Sequence, residues 1–218
     1  MRQAQWHAHV NAVNAPPALR HWLTAGGSLT ARLKAHSRAF RVQCLHQETA
    51  RCLTDEAAVI GLHRAGRVWE REVLLRCDGQ PAVFGHTVVP MQATATDWPL
   101  FSALGERSLG TTLFGDRMVR RGTLEFARLR AGHPLVQRAQ AALALEGRRA
   151  NDQAQFFARR CLYQRHQGLL LVTEVFLPAV LELAPVVATC DLTAADFCAA
   201  LSFLSSRSRS HGSTAVQL

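Results

Sequence analysis

Two residues in this chain carry charge where charge is expensive. Arg71 stands in Trp69-Glu70-Arg71-Glu72-Val73-Leu74-Leu75, and Glu174 stands in Leu169-Leu170-Leu171-Val172-Thr173-Glu174-Val175-Phe176-Leu177. Both stretches read as β-strands, and side chains in a strand alternate between faces. Arg71 shares its face with Trp69, Val73 and Leu75. An arginine cannot shed its proton, so one placed among apolar groups must find an anion, and its planar fork fits a carboxylate. That anion is either an internal glutamate or the carboxylate of a ligand. Glu174 presents the same problem with the opposite sign. It suits a proton donor or a hydrogen-bond partner for a ligand hydroxyl. It equally suits a plain ion pair with Arg71 or another arginine, and spacing alone does not separate these readings.

The elements that position these groups follow from local signals. Asp78-Gly79 between Arg67–Cys77 and Gln80–Pro90 is a two-residue hairpin turn, since type I′ needs positive φ at both residues. Counting outward from it sets Cys77 opposite Gln80, Val73 opposite Phe84, Arg71 opposite His86 and Trp69 opposite Val88. On that register His86 joins Arg71 at the site, and the other face, with Glu70, Glu72 and Thr87, is partly solvated. A second hairpin is expected around Gln167-Gly168, joining Phe156–His166 to Leu169–Leu177, with further strands from about Ala39 and over Arg117–Leu129. Leu19, Trp22 and Leu23 recur at helical spacing over Ala18–Ala25. Gly26-Gly27 stops that helix, and Ser28 is an N-cap for a second one through Ala35. Gly26-Gly27 reads as a helix C-cap or as a hinge, and Gly110, among apolar residues, as a turn or a close backbone approach to a ligand. Leu135–Leu145 reads as a helix. Hairpin-paired strands with separate helices make the class α+β with an antiparallel sheet.

With 48% hydrophobic and 19% charged residues among 218, the chain has material for a real core and fits one domain with extensions. The expected organisation is a loose lead-in over 1–17, a domain over 18–183 with a helical insertion near 132–155, and an extension over 184–218. In that extension Ala194–Leu204 reads as a helix, and Ser205–Leu218 is too polar to fold alone. No apolar run is long enough for a membrane span, and Met1–His9 has no secretory pattern, so the expected location is cytoplasmic. The six cysteines contain no C-x-x-C pair, and His7 with His9 lacks further ligands, so no metal is expected. The net charge of +9 is spread without a basic block or aromatic RNA-binding motif. It therefore speaks for steering a small anion rather than for nucleic acid. A monomer is expected.

The motifs occur together in a known order. Trp69–Leu75, Cys77-Asp78-Gly79, Gly85-His86-Thr87-Val88-Val89-Pro90, Leu109-Gly110 with Leu113-Phe114, and Leu171–Pro178 resemble the chorismate lyase family of ubiquinone biosynthesis. Ser28-Leu29-Thr30 with Arg32 is similar to that family's N-terminal flap. The resemblance implies a sheet of about six antiparallel strands, helices on one side, and an enclosed pocket beneath two helical flaps. It implies a cofactor-free lyase that takes chorismate to 4-hydroxybenzoate and pyruvate. In its terms Arg71 binds the ring carboxylate, Glu174 lies near the 4-hydroxyl, and Leu29 and Leu109 bind through their backbones. This sequence departs from the family at His86, where an arginine can stand, and at Leu29, where a methionine can occur. It also departs in the long connection from Leu129 to Phe156 and in the tail. A non-catalytic regulatory module of the same fold is the alternative. Such modules follow a DNA-binding domain, for which the residues before the first helix are too few.

Overall fold

The computed structural model describes residues 3–147 and 155–185. Six strands form one antiparallel sheet in the order β1-β2-β3-β6-β5-β4. They are β1 (Phe40–Arg51), β2 (Arg67–Cys77), β3 (Gln80–Pro90), β4 (Val119–Leu129), β5 (Phe156–Arg165) and β6 (Gly168–Phe176). Both predicted hairpins form, the second with its turn at His166-Gln167, one residue before the expected Gln167-Gly168. Asp78 and Gly79 take φ of 51° and 78°, and His166 takes 51° at the second turn.

The β2–β3 register departs from the simple count. Cys77 faces Gln80 and Arg76 faces Pro81, but Leu75 faces Val83, so Ala82 is an extra residue in β3. Pro81 has no N–H to give the ladder, and strands tolerate proline where a bulge breaks pairing. A one-residue slip moves every later side chain to the other face. Arg71 therefore faces Thr87, and His86 faces Glu72.

The helices, expected on one side, divide between both faces. On the first face lie α1 (Pro17–Leu23) and α2 (Leu29–Ala35), with α4 (Met91–Thr94) and α5 (Leu109–Gly115) further along the chain. Leu19, Trp22, Leu23, Leu29 and Leu33 join Val42, Val73, Leu75 and Phe176 in one core. On the second face lie α3 (Thr54–Ala57) and α6 (Pro134–Ala144). Leu135, Val136, Ala139 and Leu143 of α6 cover Leu74, Phe84, Ala158 and Val175. The reason for two layers is in the strands: β3, β5 and β6 place apolar side chains on both sides, Val83, Phe157 and Phe176 on one and Phe84, Phe156 and Val175 on the other, and an apolar face left open to water would be unstable.

The segment expected as a loose lead-in is tied down. His7 exchanges backbone hydrogen bonds of 2.9 and 2.8 Å with Phe126, and Val13 and Ala15 are buried. The helix expected at Ala194–Leu204 and the tail beyond it lie outside the described residues. No helix among the described residues is long and apolar enough to cross a membrane.

Candidate active site

The first face of the sheet does not close fully against its helices. A cavity remains, floored by Arg71 and Val73 of β2, Gly85 and Thr87 of β3, Val172 and Glu174 of β6, Arg159, Cys161 and Tyr163 of β5, and Arg121 of β4. Its roof is two flaps: Gly27, Leu29 and Thr30 at the start of α2, and Ser108 with Leu109, Gly110, Leu113 and Phe114 of α5, which Ser108 precedes. Local chemistry shapes the first flap. Gly27 turns with φ +74°, and the Ser28 hydroxyl caps α2 by accepting from the Ala31 N–H at 3.3 Å. The flaps meet at hydroxyls, with Thr30 Oγ1 2.9 Å from Ser108 Oγ. A Cβ on Gly110 would lie 3.0 Å from Ser28 Oγ and 3.2 Å from Thr30 Oγ1, so the close approach requires glycine there.

Arg71 is 2% exposed, and among the described residues no carboxylate pairs with it. Its Nη2 donates to the Gly105 carbonyl at 2.7 Å and the Arg107 carbonyl at 2.9 Å, which fastens it to the loop leading into the second flap. Its Nε is buried without a partner. Burial pulls its pKa below the usual arginine value, and no acid offsets that. Among the described residues, the internal glutamate that would have explained Arg71 is therefore not there. The charge faces the cavity with a donor unspent.

Glu174 lines the same cavity, and it does have a protein partner. Arg159 Nε donates to Glu174 Oε2 at 2.5 Å. Arg159 is also 2% exposed and spends Nη1 on the carbonyls of Trp22, Leu23 and Ala25 at 3.3, 3.1 and 2.9 Å. The first two of these carbonyls end α1, where a cation is favoured and the last C=O groups need donors, and the third lies just past its C-cap Thr24. One guanidinium thus anchors the first flap and holds the carboxylate. Among the described residues Glu174 Oε1 has no hydrogen bond. The alternatives left open in the sequence resolve in part: Glu174 pairs with an arginine, but Arg159 rather than Arg71, and one oxygen is left over.

Leu29 and Leu109 sit on the two flaps at the cavity wall. His86 does not reach it. Through the bulge at Ala82 it points to the second face, where Nδ1 is 3.2 Å from Glu72 Oε1 and Nε2 is 2.9 Å from Glu56 Oε1. Glu70 and Glu72, expected to be partly solvated, are buried there, and Arg138 of α6 pairs with both at 3.0 and 2.6 Å. Glu70, Glu72 and His86 lie close enough to hold an ion. Arg138 and the imidazole already supply the positive charge in that space. Thr87, expected on that solvated face, moves to the cavity floor instead.

Sequence reading missed Arg121, Arg159, Cys161 and Tyr163. A signal existed for one of them. Arg159-Arg160 sits inside the apolar run Phe156–Tyr163, and adjacent strand residues point to opposite faces, so each arginine needs its own anion. Arg160 finds Glu125 at 2.7 Å on the second face, and Arg159 finds Glu174 on the first.

A six-stranded antiparallel sheet with a cavity under paired helical flaps, lined by a carboxylate and by a buried arginine that no described acid pairs with, defines an α+β protein with a charged pocket built on its sheet. The sequence profile of the chorismate lyase family matches residues 1–185, and the chain belongs to that family. It is 48% identical over 164 residues to a probable chorismate pyruvate-lyase of Ralstonia nicotianae, covering 75% of this chain and 83% of that protein. It is 46% identical over 181 residues to another from Cupriavidus pinatubonensis, covering 83% and 91%. Among solved structures it is similar to the effector domain of PhnF from Mycobacterium smegmatis, with a TM-score of 0.47 and 18% identity over 70% of this chain and 89% of that one.

Proposed function

We propose that this member of the chorismate lyase family binds chorismate in the flap-covered cavity and releases 4-hydroxybenzoate and pyruvate. The observation that carries the reading is Arg71, buried, unpaired by any described acid and with Nε unspent. Arg71 takes the ring carboxylate. Glu174, held by Arg159, accepts from the ring 4-hydroxyl through its free oxygen, and the backbones of Leu29 and Leu109 complete the enclosure. In the reaction the bond from ring carbon 3 to the ether oxygen breaks, the ring gives up the hydrogen on carbon 4 and becomes aromatic, and the departing enol gains a proton to become pyruvate. Aromatisation makes this downhill, so the protein contributes mainly by fixing the reactive conformer and excluding water. The direct test incubates pure protein with chorismate and follows both products by chromatography. Binding without turnover would instead assign the cavity to a regulatory ligand-binding module.

Two substitutions probe the arrangement. Both substitutions remove the anion that answers Arg159, but Glu174→Gln keeps the shape and one acceptor oxygen, whereas Glu174→Ala opens a cavity and leaves Arg159 Nε without that acceptor. Turnover is expected to fall clearly further for alanine. The glutamine variant should hold 4-hydroxybenzoate within about 1.5 kcal/mol of wild type, the worth of one ordinary hydrogen bond. Equal, wild-type turnover in both variants would remove Glu174 from the reaction.

Gly110→Val drives a side chain into the hydroxyls of Ser28 and Thr30 and wedges the flaps apart. Product affinity should drop through faster release, while the melting temperature changes little because the sheet core is untouched. Stopped-flow release of 4-hydroxybenzoate reads this directly. An unchanged release rate would mean the flaps are not the exit.

A further inference from the structure

The cavity holds a third guanidinium that the proposed binding scheme leaves idle. Arg121 lies on β4 opposite Tyr163 of β5, immediately before an irregular stretch that ends at Leu124. Gly122 makes that geometry possible. A Cβ there would stand 2.9 Å from the Leu162 carbonyl oxygen, closer than any ordinary contact. Bulges of this kind re-aim the neighbouring side chain. Here Arg121 is turned onto the cavity wall, its guanidinium 5.7 Å from the centre of the Phe114 ring in the second flap.

Its surroundings do not neutralise it. Arg121 Nε is buried and without a hydrogen-bond partner, and among the described residues no carboxylate forms an ion pair with it. The groups beside it are the Tyr163 hydroxyl and the Cys161 thiol. Burial raises the pKa of both, so at neutral pH both are uncharged. Glu174, the acid of the cavity, already answers Arg159. A guanidinium held against an apolar ring with a spare donor is a receptor without an anion.

We infer that Arg121 receives the second carboxylate of the substrate, the one on the enolpyruvyl side chain, and so distinguishes substrate from product. The inference rests on the proposed reaction and adds a division of labour to it. Arg71 holds the carboxylate that stays on the ring, and Arg121 holds the carboxylate that departs with pyruvate. The aromatic product carries one carboxylate, so Arg121 adds to the binding of chorismate and not to that of 4-hydroxybenzoate. An enzyme built this way grips its substrate at two points and its product at one.

The test is a split between two ligands. Arg121→Met and Arg121→Lys are prepared beside wild type, with kcat and KM for chorismate, direct titration of 4-hydroxybenzoate, and melting temperature measured on each. For Arg121→Met, kcat/KM should fall on the order of tenfold to a hundredfold, the usual effect of losing one charge-assisted contact, with product affinity within about threefold of wild type. Arg121→Lys keeps the charge and loses the fork, so it should fall between the two. Parallel loss of chorismate and 4-hydroxybenzoate affinity would overturn the inference and place Arg121 in support of the fold or of the ring site. Unchanged kcat/KM would overturn it as well. If the methionine variant does not fold, the lysine variant decides by the same split. Failure of the wild type to turn over chorismate would instead strike the proposed reaction, which keeps the two results apart.

Discussion

Arg71→Ala is expected to abolish useful binding of 4-hydroxybenzoate while leaving a folded protein. Truncating one partner of a buried charge–carboxylate contact costs about 2–5 kcal/mol, which is a loss of roughly thirtyfold to several thousandfold in affinity. The effect on stability is smaller because two contributions oppose each other. The variant gives up the hydrogen bonds to the Gly105 and Arg107 carbonyls, which loosens the loop before the second flap. It also removes a buried charge that no acid of the described protein compensates. Product titration and thermal melting on the same preparation measure both. Unchanged affinity with a collapsed melting temperature would make Arg71 a structural clamp for the flap. Arg71→Lys sharpens the contrast. An ammonium retains the charge but cannot span two carbonyls and a carboxylate, so its affinity should lie nearer alanine than wild type.

Much of this was legible because the signals are local. The period-two pattern, the Asp78-Gly79 turn and the Ser28 cap each depend on a few neighbouring residues, and each forms where the sequence places it. Arg71 and Glu174 stood out for a related reason. A charge in an apolar strand must be answered, and the demand is visible without knowing the answer. The answers were not visible. That Glu174 meets Arg159 depends on which strands neighbour one another, and β6 lies between β3 and β5 only in the finished sheet. The position of His86 turned on one extra residue at Ala82. A bulge leaves no periodic trace, yet it decides which face every later residue of β3 presents. Arg121 was hidden by a second irregularity of the same kind at Gly122. Leu29 and Leu109 came from the resemblance alone, because a contact made through backbone N–H groups places almost no demand on side-chain type.

The misplaced histidine leads to the largest expected effect on stability. His86 is completely buried, with Glu72 on one ring nitrogen, Glu56 on the other and Glu70 3.9 Å away. Burial alone would lower its pKa. The surrounding carboxylates, Glu56 first among them, outweigh that and push it up to about 10, so the ring is a cation at neutral pH. Burial likewise disfavours the Glu72 carboxylate, but His86 and Arg138 more than offset it and hold its pKa below the ordinary 4.5. The cluster is thus a set of buried acids neutralised by His86 and Arg138, and removing one partner leaves uncompensated charge. His86→Gln is expected to cost about 3–5 kcal/mol, with the sheet face under α6 disturbed and the cavity on the opposite face unchanged in composition. The pH dependence has a definite sign. A group whose folded pKa is raised contributes fully below its unfolded value of 6.5 and loses that contribution as pH rises through about 10. Glu72 contributes above 4.5 and loses it as pH falls below that. Wild-type stability should therefore be greatest between these limits and decline steadily from pH 7 to pH 10. The decline should be much shallower in His86→Gln between pH 6 and 8, and what remains toward pH 9.5 comes from the buried thiols of Cys52, Cys77 and Cys161, whose pKa burial also raises. His86→Arg, if the site takes the added volume, should show the same shallow decline, because the guanidinium stays charged throughout. Urea unfolding of the three proteins at pH 6, 8 and 9.5 reads the result. The same alkaline slope in wild type and His86→Gln would mean that His86 is neutral in the fold and that Arg138 alone balances the acids.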